Sequence, residues 1–423
     1  MKQAFLLSLA LSAGIAAAWT SPTPNPPSIV VVGRSRSSSS FELTAAVDDD
    51  NNDVPYDDPS LLRRRDFFRS TSARAVSISL LAATASYAAD AAASDAVPYS
   101  RIYRPAPHSM DGKIVVVTGG NAGLGLESAK RLAEAGASVV FTSRDGVKGA
   151  RALEEANVYL QGLRASDPTF AGRVAVASLD LCDMANVVSF KDRLASVIGK
   201  DAKIDVLLNN AGVMAIPEKR LTKDGYEQTF QTNHLGHFAL TSTLMPILSP
   251  KARIINVSSM AYLFVPNGLE MDNLNGEREY GPWSSYGLSK LENILFTNEL
   301  QRRARRSRDW SELTAFSLHP GAVQTDLARY LIGEEKFRSM KEDGFSSWTE
   351  KVVMEGLAKF TKTVQEGAST QVYLAAADVS PEVAGSYFSD GKVTPVKAFA
   401  LDQAKAEELW AVSEKLSGVK FDL

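Results

Sequence analysis

Tyr286 and Lys290 stand four residues apart in the segment Tyr-Gly-Leu-Ser-Lys, so on a helix they share one face. A phenol beside an ammonium ionises more easily, because the cation stabilises the phenolate. Ser259, the second member of a Ser-Ser pair, offers a hydroxyl that can hold a carbonyl oxygen next to such a phenol, and Asn233 adds a polar amide upstream. Before all four lies the turn Thr118-Gly119-Gly120-Asn121-Ala122-Gly123-Leu124-Gly125. Its glycines allow close backbone approach, and free N–H groups at a following helix start favour a pyrophosphate. The combination implies hydride transfer coupled to a proton relay.

The elements around these residues follow from hydrophobic pattern. Lys113 to Thr118 is a short continuous apolar run, the pattern of a strand buried on both faces. A helix to about Ala135 follows the glycine turn, with Gly136 placed to end it. Further strands are predicted at Ser138–Ser143, Val174–Leu179, Ile204–Asn209, Arg253–Ser258 and Thr314–Leu318, with helical segments between them. Such alternation predicts an α/β fold: a single Rossmann-type, doubly wound parallel sheet with helices on both faces and right-handed crossovers. The active site is expected at the carboxyl ends of the strands. Gly385 to Phe388 reads as the last strand, and a helix is expected from about Asp402 to Leu416.

Cofactor choice is read at the end of the second strand. An acid there would bind a ribose 2′-hydroxyl; the chain has Ser143-Arg144 instead, and arginine can pair with a 2′-phosphate, which favours NADP. Asp145 is expected to cap the next helix, and Lys148 either assists Arg144 or is a solvated helix residue.

Thr118-Gly119-x-x-x-Gly123-x-Gly125, Asn209-Asn210-Ala211-Gly212, Ser259, Tyr286-x-x-x-Lys290 and Pro320-Gly321 occur in the order of the short-chain dehydrogenase/reductase family, which the chain resembles over about residues 110 to 395. Ser143-Arg144-Asp145, Asn233-His234-Leu235-Gly236-His237-Phe238, Tyr286 to Asn293 and His319-Pro320-Gly321 resemble the retinol-dehydrogenase branch, which is related to protochlorophyllide reductases. The resemblance implies that Tyr286 is the general acid in carbonyl reduction and the base in alcohol oxidation. A free tyrosine has a pKa of about 10, so bringing it to neutrality takes about 4 kcal/mol. Lys290 would supply part of that by its charge and bond the nicotinamide ribose. Ser259 would orient the carbonyl oxygen; Asn233 would bend its helix and hold a water in the relay.

The same resemblance places Gly119, Asn121, Gly123, Leu124 and Gly125 at the pyrophosphate, and Asn210 and Ala211 along the adenosine ribose. Asp180 would receive the adenine amino group, with capping of a helix before Met184 as the competing role. Val323 would set its backbone amide against the carboxamide; Thr325 would contact phosphate or cap a helix. His234, His237 and His319 are three of only four histidines, with no carboxylate at ligand spacing. They are assigned to packing and hydrogen bonding, and no metal site is expected.

Residues 326–363 carry Leu327, Tyr330, Leu331, Phe337, Phe345, Trp348 and Phe360. In the family this insertion is the substrate lid, and its apolar character points to a bulky lipid-like or isoprenoid carbonyl compound, with peripheral membrane contact for delivery; a helical pair packed on the core is the equal alternative. The net charge of −3 suggests no nucleic-acid partner, and the basic run Arg302 to Arg308 reads as a solvated helix end. Cys182 is the only cysteine, which excludes an intrachain disulfide framework and a thiolate-rich metal site.

The first hundred residues differ from the rest. Residues 1–18 have an early lysine, an apolar run and an Ala16-Ala17-Ala18 end, the form of a secretory signal peptide. Residues 19–41 contain no acid, many serines, Arg34 and Arg36, a transit-peptide composition. The Ala-Ala-Ala-Trp-Thr-Ser-Pro junction resembles the bipartite leaders of algae with secondary plastids; an endoplasmic-reticulum or secreted protein with a spacer is the alternative. Arg64-Arg65 ahead of the alanine-rich stretch Ala75 to Ala93 resembles a thylakoid twin-arginine signal, although Arg63 stands where a serine or threonine is usual. Residues 19–107 are therefore expected to be a largely disordered leader and linker, and 108–423 the catalytic domain. The combined expectation is an NADP(H)-dependent enzyme interconverting a carbonyl and an alcohol on a small apolar substrate. Its rivals are light-dependent protochlorophyllide reduction, against which Glu292 and Asn293 stand where those reductases resemble one another in carrying a cysteine, and an NADP-binding redox-sensor subunit.

Overall fold

In β1 (Ile114–Val117) Val115 and Val117 point to one side of the sheet and Val116 to the other, all fully buried. A strand apolar at every position needs cover on both faces, and the chain supplies it. The computed structural model describes residues 101–323 and 361–423; the leader expectations for residues 1–100, Thr325 and nearly all of the 326–363 insertion lie outside the described residues, whereas residues 101–107, expected to be linker, are described, with Tyr103 edge to face on Tyr373.

Among the described residues, eight strands form one sheet in the order β3-β2-β1-β4-β5-β6-β7-β8. β2 (Ser138–Ser143), β3 (Arg173–Ser178), β4 (Ile204–Asn209), β5 (Leu248–Val257), β6 (Thr314–His319) and β7 (Tyr387–Ser389) pair in parallel, and only β8 (Lys392–Val393) is antiparallel, on β7. This is the expected Rossmann-type doubly wound sheet, with its strand order reversing between β1 and β4. On one face α1 (Gly123–Glu134), α2 (Gly146–Ser166) and α8 (Val364–Ala376) bury Leu132, Leu160 and Val372 against Val115, Val117 and Phe141. On the other, Phe190 and Leu194 of α4 (Phe190–Ile198), Phe238 of α6 (Gly236–Leu244), Phe296 of α7 (Pro282–Ala304) and Trp410 of α9 (Gln403–Ser417) cover Val116 and Leu207. The short α3 (Met184–Val188) precedes α4, and α5 (Gln228–Phe230) leads toward α6.

The sequence did not anticipate β8, and two further details depart from its expectation. β5 begins at Leu248 rather than Arg253, because Leu248 pairs with Ile204 across an irregularity in the register. Between α5 and α6 the backbone widens into a π-helical turn, Gln231–Leu235, which accommodates an extra residue in the turn and carries Asn233.

Candidate active site

The glycine turn leaves the carboxyl end of β1 and is tied to the loop after β4. The Thr118 hydroxyl accepts from the backbone N–H groups of Asn210 and Ala211, each at 2.9 Å, and the Asn210 side-chain amide donates to the Thr118 carbonyl at 2.8 Å. The turn requires its glycines. Gly119 has φ +64, and a Cβ there would meet Ala211 at 2.9 Å; a Cβ on Gly125 would lie 2.5 Å from the Gly119 carbonyl oxygen. At the start of α1 the N-cap is Ala122, which supplies no capping side chain, and the first turn holds no acid. The helix N-terminus is thus left to an anion from outside the chain, which fits a dinucleotide pyrophosphate.

A cleft at this turn is lined by Gly119, Asn121, Gly123, Leu124, Gly125, Arg144, Asp180, Asn210 and Ala211, together with Thr142, Cys182 and Thr232. Arg144 is exposed at the end of β2, while the Asp145 carboxylate accepts from the Lys148 N–H at 3.0 Å and caps α2. Asp180 accepts from the Cys182 N–H at 2.9 Å; the cap of α3 is Asp183, through the Asn186 N–H at 3.0 Å. The Cys182 thiol lies 3.0 Å from the Thr232 hydroxyl, and burial raises its pKa.

A second cleft meets the first at Leu124, Asn210, Gly212 and Val213. Ser259, Tyr286, Lys290 and Val323 line it, with Met214, Met260, Phe264, Trp283 and His319. The Ser-Ser pair divides its labour. Ser258 is buried and donates to the Lys290 carbonyl at 2.7 Å, pinning α7 to the end of β5. Ser259 is half-buried, faces the cleft and accepts from the Ala261 N–H at 3.1 Å.

The Lys290 ammonium donates to the Val257 carbonyl at 3.0 Å and stands 5.5 Å from the centre of the Tyr286 ring. Only 4% of Lys290 is exposed, and this burial lowers its pKa from 10.5 to about 8. The charge persists at neutrality and is lost just above it.

Asn233 sits one layer behind the cleft wall. Its amide clasps Val213 from both sides, accepting from the Val213 N–H at 2.8 Å and donating to the Val213 carbonyl at 2.9 Å. It also donates to the Ser289 hydroxyl at 2.9 Å, and Ser289 in turn donates to the Tyr286 carbonyl at 2.8 Å. A Cβ on Gly212 would lie 3.2 Å from the Asn233 amide oxygen and 3.6 Å from the Lys290 ammonium, so these groups are in one neighbourhood.

The three histidines near the site are buried, which holds them neutral: pKa values fall to about 3 for His234 and His319 and about 4 for His237. His234 bonds Ser413 at 2.9 Å, and His237 bonds the Asn233 carbonyl at 3.0 Å. Among the described residues no group of histidine, cysteine and carboxylates is arranged to hold a metal ion.

Sequence reasoning assigned no role to Thr118, Ser289, Trp283 or Phe264. The signal for Trp283 was available, since it precedes Tyr286 by three residues and so faces the same way on α7; those rings have centroids 6.5 Å apart. Thr118 and Ser289 have no such pattern, because their roles depend on partners distant in the chain.

Residues 113–336 match the family model described as short chain dehydrogenase. Retinol dehydrogenase 12 of Mus musculus is 36% identical over 313 residues, covering 74% of this chain and 88% of that protein. Retinol dehydrogenase 11 of Homo sapiens is 37% identical over 315 residues, again covering 74% and 88%. Among solved structures, an uncharacterized protein from Mycobacterium Paratuberculosis is 34% identical, with a TM-score of 0.55, covering 75% of this chain and 100% of that one. The chain therefore belongs to the short-chain dehydrogenase/reductase family, on its retinol-dehydrogenase-like branch, and is an oxidoreductase of CH–OH and C=O groups that uses a nicotinamide cofactor.

Proposed function

We propose that this enzyme uses NADP(H) to interconvert a carbonyl and an alcohol on an apolar, retinoid- or lipid-like substrate, with Tyr286 as the acid and base. The observation that carries the reading is the convergence of Ser259, Tyr286 and Lys290 on one cleft that opens into the glycine-turn cleft. When bound, the nicotinamide supplies or accepts the hydride. The Ser259 hydroxyl orients the substrate oxygen, and the Tyr286 phenol gives that oxygen its proton in reduction or removes it in oxidation. Lys290, charged at neutrality, favours the phenolate that remains. Asn233 holds Val213 on the cleft wall and, through Ser289, the backbone of Tyr286.

Arg144, exposed in the glycine-turn cleft, suits a 2′-phosphate, with the Asp145 carboxylate engaged at the helix cap. Asp180 is proposed for the adenine, and Val323 for the carboxamide. The apolar substrate follows from Met214, Met260, Phe264 and Trp283 around the second cleft, where the Phe264 and Trp283 rings meet edge to face with centroids 6.0 Å apart; the names of the similar retinol dehydrogenases point the same way. Among the described residues no helix is long and apolar enough to cross a membrane. Plastid delivery by the leader belongs to the same proposal, and secretory retention of a leader–reporter fusion would exclude it.

The test is purified protein with NADPH or NADH against all-trans-retinal, lipid aldehydes and, under light, protochlorophyllide. Retinal or lipid-aldehyde reduction with NADPH is expected, and Tyr286→Phe should abolish it while binding NADPH as the wild type does. Retained turnover in that variant, or a wild type that turns over none of these compounds, would end the proposal.

A further inference from the structure

Four buried polar residues, linked through three side-chain bonds and the backbone of Asn233, connect the glycine turn to the helix that carries Tyr286. Thr118, His237, Asn233 and Ser289 are each no more than 2% exposed. The Asn233 carbonyl can only accept, so the His237 Nδ1 at 3.0 Å must carry the proton and donate to it. The buried ring is neutral, which leaves Nε2 as an acceptor, and the Thr118 hydroxyl at 2.9 Å donates to it. Thr118 can then spend its remaining capacity accepting from Asn210 and Ala211. From Asn233 the line continues through its side-chain amide to Ser289 and on to the Tyr286 carbonyl.

We propose that His237 is a positioning residue that sets the geometry of the dinucleotide turn through Thr118 and of the Tyr286 helix through Asn233. The two ring nitrogens serve the two ends separately. Without Nε2 the Thr118 hydroxyl keeps only the longer contact to the Leu208 carbonyl, at 3.4 Å, as an outlet for its proton, so its orientation shifts, and with it the placement of Asn210 and Ala211 beneath the cofactor cleft. Without Nδ1 the carbonyl of Asn233 loses one buried donor inside a π-helical turn, where the regular ladder is already widened. His237 touches neither cleft, so its effect on the reaction passes through these partners. The inference rests on the NADP(H)-dependent reading above.

The two nitrogens can be replaced one at a time. His237→Asn puts a side-chain donor near the Asn233 carbonyl and abandons Thr118. His237→Gln reaches Thr118 with an acceptor oxygen and abandons the carbonyl. His237→Phe keeps the ring shape and loses both. NADPH affinity is measured by fluorescence titration, and kcat with the best substrate from the panel above. His237→Asn should weaken NADPH about tenfold with kcat near wild type, and His237→Gln should lower kcat about tenfold with near-normal affinity. His237→Phe should show both losses. Equal losses of affinity and kcat in the Asn and Gln variants, or no loss in either, would overturn the proposal. If His237→Phe does not fold, the Asn and Gln pair still decides it. A wild type that binds no NADPH would instead remove the underlying functional reading.

Discussion

Replacing Lys290 by methionine should stabilise the fold while destroying activity, and the stabilisation should fade as pH rises. Burial moves the ammonium pKa from 10.5 to about 8, which corresponds to about 3 kcal/mol disfavouring the charged native form at neutral pH. Methionine has similar length and no charge, so it removes that penalty. It also loses the hydrogen bond to the Val257 carbonyl, about 1–2 kcal/mol, although this carbonyl keeps the Asn293 amide at 3.2 Å. The net expectation at pH 7 is a gain of about 1–2 kcal/mol. The sign with pH follows from proton counting. Below pH 8 both folded and unfolded chains hold the lysine proton, and the cost is fully present. Between pH 8 and 10.5 the unfolded chain holds it and the folded chain has released it, so the wild type gains stability with rising pH. The advantage of Lys290→Met should therefore shrink by about 3 kcal/mol across that interval. Urea unfolding followed by circular dichroism at pH 7, 8, 9 and 10 measures it. Both proteins should carry Tyr286→Phe, so that the phenol does not titrate in the same range. Parallel stability curves with and without Lys290 would refute the reasoning.

Arg144→Asp should reverse the cofactor preference, weakening NADPH by at least tenfold while leaving NADH little changed, as read from kcat/KM with each; a uniform loss for both would mean that Arg144 does not sense the 2′-phosphate. The Ser-Ser pair should separate by assay. Ser258→Ala should cost about 1 kcal/mol of stability through the lost bond to the Lys290 carbonyl, whereas Ser259→Ala should leave the thermal midpoint nearly unchanged and lower kcat about a hundredfold.

The sheet was legible because its strands are buried on both faces and so advertise themselves as apolar runs: Ile114–Val117 is wholly apolar, and Ile204–Asn209 holds Val206, Leu207 and Leu208 in succession. The site was legible where chemistry fixes a spacing, as in Tyr286 and Lys290 or the glycines of the turn. It was illegible where one polar group serves another far away in the chain. Nothing local marks Thr118 as the anchor of Asn210 and Ala211, or tells that Asn233 would grip Val213 through a widened helical turn. The short β8 escaped for a different reason: two exposed residues, Lys392 and Val393, carry no burial pattern, and only their antiparallel pairing with β7 makes them a strand.

Val323 and Lys362 form a parallel bridge, with the Lys362 N–H donating to the Ala322 carbonyl at 2.7 Å. The points where the chain departs after β6 and rejoins before α8 are therefore neighbours, with Val323 itself on the wall of the second cleft. A span whose two ends are already clasped can be lengthened or shortened at little entropic cost, since closure entropy grows only slowly with length. Changes of length between Val323 and Lys362 should thus be absorbed locally, leaving the dinucleotide platform undisturbed.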